Sequence, residues 1–235
     1  MTPLLVIVPA HNEAASLPSV VAEVRATLPH ADLLVVDDGS DDGTPALLSS
    51  AGVASLRFPR RVGLGTAVRA GLVHGFSRGY RVVVRMDGDG QHDARDIPPI
   101  IEPLTRGADV VVGTRFQSPS WAAATPRRFV QRGLSAVLSR VTGQHVTDAT
   151  SGFCAFGPRA VALLTSRHPA GYPEVELRLL LHREGLDVRE VPVRERPRLA
   201  GRTTLTPPRL ALAAARAAYA IARTPWRRAD PESPA

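Results

Sequence analysis

The sequence predicts an α/β fold, a Rossmann-like and mostly parallel sheet with helices on both faces, and three observations carry that prediction. Short apolar runs alternate with stretches of helical periodicity through the first half of the chain. The runs are almost wholly apolar, as strands covered on both faces are. Polar segments recur where the runs end, and those at 37–43 and 87–90 are rich in Asp and Gly. The 235 residues, 44% hydrophobic and 22% charged, suffice for one domain with its own core.

Taken in order, residues 4–8 (LLVIV) form a buried strand, and residues 16–28 a helix with Pro18 in its first turn and Val20, Val21, Val24 and Leu28 at helical spacing. Residues 33–36 are the second strand, 37–43 a polar turn, 44–50 a helix and 55–58 a short third strand. A helix over 66–79 leads to a fourth strand, 81–86 (RVVVRM), which ends on Asp87-Gly88-Asp89-Gly90. The fifth, 109–112, ends on Gly113. Beyond it the alternation loosens into helices over 127–141 and 173–184 and strands over 153–156 and 187–193, which complete an acceptor site within the same domain. The expected organisation is a catalytic domain over 1–204, a basic amphipathic helix over 205–228 and a disordered tail over 229–235.

Composition excludes several chemistries. All 29 basic residues are Arg, so P-loop lysine, Schiff-base and pyridoxal mechanisms are out. A single Cys, Cys154, allows neither an internal disulfide nor a thiolate zinc cluster, as expected in a reducing compartment. The longest apolar runs, 4–10 and 217–222, fall short of the roughly 20 residues of a spanning helix. No cleavable signal precedes Leu4, so a soluble cytoplasmic body is expected. The net charge of +7 favours anionic partners. No H-E-x-x-H pair or Gly-x-Ser-x-Gly elbow is present, and Val68 stands where a third glycine would complete a dinucleotide fingerprint after Gly63 and Gly65.

Ligands of open α/β sheets bind outside the carboxyl ends of the strands, and the polar motifs sit there. In Asp87-Gly88-Asp89-Gly90-Gln91-His92-Asp93, carboxylates at i and i+2 of an extended segment project to one side. Two such oxygens suit Mg²⁺ or Mn²⁺, which takes one or two protein carboxylates together with substrate phosphates, and Gln91 can add a carbonyl oxygen. An isolated Asp-x-Asp is a solvated turn. Here Asp37-Asp38-Gly39-Ser40 and Pro9-Ala10-His11-Asn12-Glu13 end two neighbouring strands, and the three crests together form a nucleotide pocket. Arg115, after Gly113-Thr114, and Arg127, Arg128 and Arg132 on one helix supply guanidinium groups for phosphate.

Between residues 198 and 228 there are seven Arg and no acid, with Arg209, Arg216 and Arg223 on one helical face and Leu210, Leu212, Tyr219, Ile221 and Trp226 supplying apolar surface. This pattern fits a basic helix lying on the inner face of a membrane, or an Ala-rich helix packed on the domain. No nucleic-acid-binding module accompanies the charge.

These motifs resemble the family 2 inverting glycosyltransferases with the GT-A fold, and within them the dolichol-phosphate mannosyltransferase-like branch. The resemblance rests on the segments starting at Val8, Val36, Gly63, Met86, Gly113 and Asp148, in the family's order from about Pro3 to Thr204. It implies that Pro9, His11, Glu13, Asp38 and Asp87 hold the nucleotide and that Asp87, Asp89 and Gln91 hold the metal. Arg115 and Arg132 would serve catalysis by contacting donor or acceptor phosphates, and Asp89 through the metal. The 198–204 segment is similar to the family's late Arg-x-x-Gly-x-Ser-Lys, but Thr204 stands where Lys is usual and Cys154 where Arg often follows Ser-Gly-Phe. Arg202 is placed to replace the first of these charges. The implied reaction moves a sugar from a GDP- or UDP-sugar to a polyprenyl phosphate. An ionised phosphate needs no base, whereas transfer to a hydroxyl would call on Glu174 or Glu176. A silent nucleotide-sugar-binding protein is the third alternative, disfavoured by the intact acidic pair.

Overall fold

A computed structural model describes residues 3–115, 126–169, 173–194 and 196–199. The expected helix over 205–228, the tail, Arg202 and Thr204 lie outside the described residues, as do the side chains of Arg127 and Arg128.

The first half follows the expected alternation: β1 (Leu4–Ala10), α1 (Leu17–Thr27), β2 (Asp32–Asp37), α2 (Thr44–Ser50), β3 (Ser55–Arg57), α3 (Leu64–Ser77) and β4 (Val82–Arg85). A 3-10 turn (Ala94–Asp96) then precedes α4 (Ile97–Thr105), β5 (Val110–Thr114), α5 (Pro126–Thr142), β6 (Cys154–Phe156), α6 (Pro158–Arg167), α7 (Pro173–Arg183) and β7 (Val188–Pro192).

Two of these helices, α4 and α6, are absent from the sequence prediction. In α4 the pair Pro98-Pro99 discourages a helix assignment, yet both lie in the first turn, where a missing N–H forgoes no intrahelical bond. In α6, Pro158 opens the helix and Ala160, Val161 and Leu164 form its buried stripe, a signal short enough to be lost beside the strand before it.

The seven strands lie in the order β3-β2-β1-β4-β6-β5-β7. All pairings are parallel except those of β6, which runs antiparallel between β4 and β5. Alternate residues of β1 feed opposite cores: Val6 and Val8 pack with α1 and α4, while Leu5 and Ile7 pack with α3 and α6. A smaller cluster around Leu138, Val175 and Leu179 joins α5 to α7. No described helix is long and apolar enough to cross a membrane.

Candidate active site

The chain leaves β1 toward β2 and β3 on one side and returns to β4 on the other, so the strand order reverses between β1 and β4. Such a switch point opens a crevice at the carboxyl ends, because the loops on its two sides diverge. Here it is a cleft of about 150 Å³. Pro9, His11 and Glu13 line it from β1, Asp38 from β2, Arg61 and Leu64 from the start of α3, Asp87 and Asp89 from β4, and Arg198 from the strap after β7.

Its walls are stitched by the acidic turn. Asn12, in the left-handed region at φ 59, donates from Nδ2 to Asp41 and from its backbone to Ser40 Oγ. The backbone N–H groups of Glu13 and Ala14 donate to Thr44 Oγ1 and Asp42. Asp38 accepts from the N–H groups of Val62 and Gly63 at 2.6 and 3.0 Å, which pins the loop carrying Arg61. His11 donates from Nδ1 to the Asp38 carbonyl at 2.9 Å. Glu13 accepts from Ser16 Oγ, and burial raises its carboxyl above the usual range.

The acidic pair faces the same cleft. Asp87 keeps a third of its side chain exposed. Burial works against its charge, but the Arg85 guanidinium outweighs that and holds the carboxyl below the ordinary value. Asp89 is shifted the other way, by burial and then by the charge of Asp87. One Asp89 oxygen accepts the Gln91 N–H, and the other meets Arg198 at 2.9 Å. Gln91 Oε1 accepts from the same guanidinium. Behind them His92 stacks on Phe153 with ring centroids 4.7 Å apart and accepts the Asp87 N–H on Nδ1, which places its own proton on Nε2. Burial keeps this imidazole neutral below its ordinary pKa.

Among the described residues no group of three His, Cys, Asp or Glu is gathered into a cage for a metal. The donor set is two aspartates of hard oxygen, which fits a Mg²⁺ or Mn²⁺ ion that completes its shell with water and substrate phosphate. A cationic group already stands on Asp89 in the form of Arg198, so the site accepts positive charge at that point.

Neither predicted cationic residue lines the cleft, although the charge of Arg115 reaches Asp87. Arg115 is buried and bidentate to Asp148, at 2.7 and 3.0 Å, with Thr150 as a further acceptor. Arg132 is exposed on α5 and lines a separate groove with Ser135, Ser139, Arg140 and His145. The strap explains why Arg198 reaches the cleft. Val193 and Leu199 donate backbone bonds to Thr114 and Asp89, Arg194 pairs with Asp96, and Arg196 with Glu23 and Asp93. Gly90, at φ 77, leaves the space that Leu199 fills, since a Cβ there would stand 2.5 Å from it.

The Glycosyl transferase family 2 model matches residues 5–162, a span that holds the cleft's β1, β2 and β4 residues. The chain belongs to glycosyl transferase family 2. This family 2 glycosyltransferase is 33% identical over 200 residues to the polyprenol monophosphomannose synthase of Mycolicibacterium smegmatis, covering 80% of this chain and 76% of that protein. It is 34% identical over 204 residues to the undecaprenyl-phosphate mannosyltransferase of Micrococcus luteus, covering 81% and 82%. Among solved structures, glucosyl-3-phosphoglycerate synthase from Mycobacterium tuberculosis, in complex with Mn²⁺, UDP and phosphoglyceric acid, superposes with a TM-score of 0.71 at 23% identity. That match covers 97% of this chain and 80% of the other, and establishes the GT-A-like fold.

Sequence reasoning passed over two groups that this family 2 glycosyltransferase brings to its cleft or behind it. Arg61 carries no motif of its own and lies three residues before the start of α3. Arg85 was counted only as a residue of the fourth strand, although an Arg inside a run of Val is itself a signal.

Proposed function

We propose that the protein transfers one sugar from a GDP- or UDP-sugar to a polyprenyl phosphate at a membrane surface. The observation that carries this reading is the convergence of Asp87 and Asp89 with Pro9, His11, Glu13 and Asp38 on one cleft at the switch point of the sheet. Bound at Asp87 and Asp89, Mg²⁺ or Mn²⁺ supplies charge against the departing diphosphate. Gln91 stays beside this pair through its bond with Arg198.

The protein's own groups bind, orient and shield. Pro9 and His11 offer the nucleoside a wall fixed by the His11–Asp38 bond, and Asp38 retains acceptor capacity for it beyond the two N–H groups it serves. The cleft is smaller than the roughly 300–1,000 Å³ of usual ligand pockets. Donor binding therefore moves Arg198 off Asp89, onto the diphosphate. Arg115 holds the Asp148 loop beside β5, and Arg132, with Arg140 and His145, provides the anionic acceptor with a basic groove on α5.

A phosphate acceptor is favoured over a hydroxyl by the state of Glu174. Its carboxylate is nearly buried and paired with Arg85 at 3.1 Å, an arrangement that turns it away from an acceptor hydroxyl in the cleft. The two mannosyl-transferring relatives, whose names state polyprenol or undecaprenyl phosphate products and substrates, point the same way. Phe129 and Val137, exposed on α5 beside Arg132 and Arg140, suit contact with an anionic bilayer, as does the basic 205–228 segment. The protein would then act at the cytoplasmic face of that membrane.

The test is turnover of radiolabelled GDP-mannose and UDP-sugars with Mn²⁺ and a polyprenyl phosphate. Label entering the lipid phase is the expected outcome. Label appearing only on a hydroxyl acceptor, or donors that neither bind nor turn over, overturns the reading.

A further inference from the structure

We propose that Arg85 is a positioning residue for the acidic pair: one guanidinium nitrogen, lodged behind the cleft, holds Asp87 toward the ligand and ties Glu174 of α7 to the same point. This rests on the reading of Asp87 and Asp89 as the diphosphate and metal site.

Arg85 sits in a strand that is otherwise Val82, Val83 and Val84, and it is only 2% exposed. A buried guanidinium without counter-charge is strongly disfavoured, so its surroundings indicate its use. Side chains two apart on a strand share a face, which sets Arg85 directly behind Asp87. The same Nη2 lies 3.3 Å from Asp87 Oδ1 and 3.1 Å from Glu174 Oε1. Room for it is made twice. A Cβ on Gly152 would stand 2.5 Å from that nitrogen, and the residue opposite Arg85 in the β4–β6 ladder is the small Cys154. Cys154 itself is inert, its thiol pushed up to about 12 by burial.

A purely structural arginine is saturated, as Arg115 is by Asp148 and Thr150. Arg85 leaves Nε without a hydrogen-bond partner and directs Nη2 at Asp87, a cleft carboxylate that remains a third exposed. Because Cys154 faces Arg85 in that ladder, a guanidinium placed at position 154 would enter from β6.

The experiment relocates the charge. Mn²⁺ binding in the presence of GDP or UDP is read by electron paramagnetic resonance on the full chain, beside kcat and donor KM. In Arg85→Met, Asp87 loses the guanidinium that fixes its orientation, so Mn²⁺ is held at least tenfold more weakly and kcat falls about a hundredfold. In Arg85→Val combined with Cys154→Arg, both return to within tenfold of the parent. Glu174→Gln keeps Arg85 but removes its anchor on α7, so Asp87 is no longer fixed and Mn²⁺ binding weakens several-fold; it decides the matter should the Arg85 variants not fold. Unchanged Mn²⁺ binding in folded Arg85→Met or in Glu174→Gln, or a folded relocation variant that stays a hundredfold down, overturns the proposal. Failure of the parent protein to bind Mn²⁺ with any nucleotide sinks the site reading instead.

Discussion

The ends of β4 and β5 carry charge in opposite ways. Past β4, Asp87 and Asp89 border the cleft, and each is only partly compensated, Asp87 by Arg85 from behind and Asp89 by Arg198 from the strap. Past β5, Arg115 is 8% exposed and closed upon by a fully buried Asp148. Both are charged residues at the carboxyl end of a strand in one sheet. Whether such a charge addresses a ligand or the protein depends on the counter-charge that the next folded loop brings, and Asp148 arrives at β5 from 33 residues away.

The contrast can be broken at either end. Asp89→Asn keeps an acceptor for the Gln91 N–H but removes the charge, and turnover with Mn²⁺ should fall by about 10⁴, roughly 5 kcal/mol of barrier, with urea stability almost unchanged. Asp148→Asn does the reverse. It strands a buried guanidinium, so urea unfolding should show a loss of about 3–5 kcal/mol. A loss below about 1 kcal/mol would mean that Arg115 is turned outward in solution and addresses ligand after all.

A third test reaches the ground beneath α7. His168 donates from Nδ1 to the Pro169 carbonyl, and burial lowers its pKa to about 4 from the ordinary 6.5. Because the folded state resists protonation, the unfolded chain binds the proton first. Stability is therefore complete above about pH 6.5 and is lost as pH falls from 6.5 toward 4. Between pH 7 and 5 the loss should be roughly 2 kcal/mol, and His168→Phe should flatten that dependence in urea titrations. The smallest effect is expected at Arg198→Gln. This partly exposed pair should contribute under about 1 kcal/mol to stability, while the donor KM rises several-fold.

Much of the first half was legible in sequence because its elements are local. β1, β2 and α2 are set by apolar runs, and the three polar crests follow from where those runs stop. The second half was less so. Pro98 and Pro99 disguised α4, although prolines in a first turn are harmless, and α6 was hidden behind a three-residue strand. Asp38 was read as a nucleoside contact from its motif alone, and no spacing rule announces that its carboxylate also anchors the backbone at Val62 and Gly63.

Periodicity and short motifs were enough to settle the α/β class, the family and the identity of the acidic pair, since each depends on residues within a few positions of one another. Folding over long separations decided everything else. The strap that sets Arg198 on Asp89, 109 positions earlier, the closure of Asp148 on Arg115 and the grip of Arg85 on Glu174 all join residues from distant segments. Ion pairing falls off steeply with distance, so which charges neutralise one another, and which are left to meet a substrate, is a property of the packed chain.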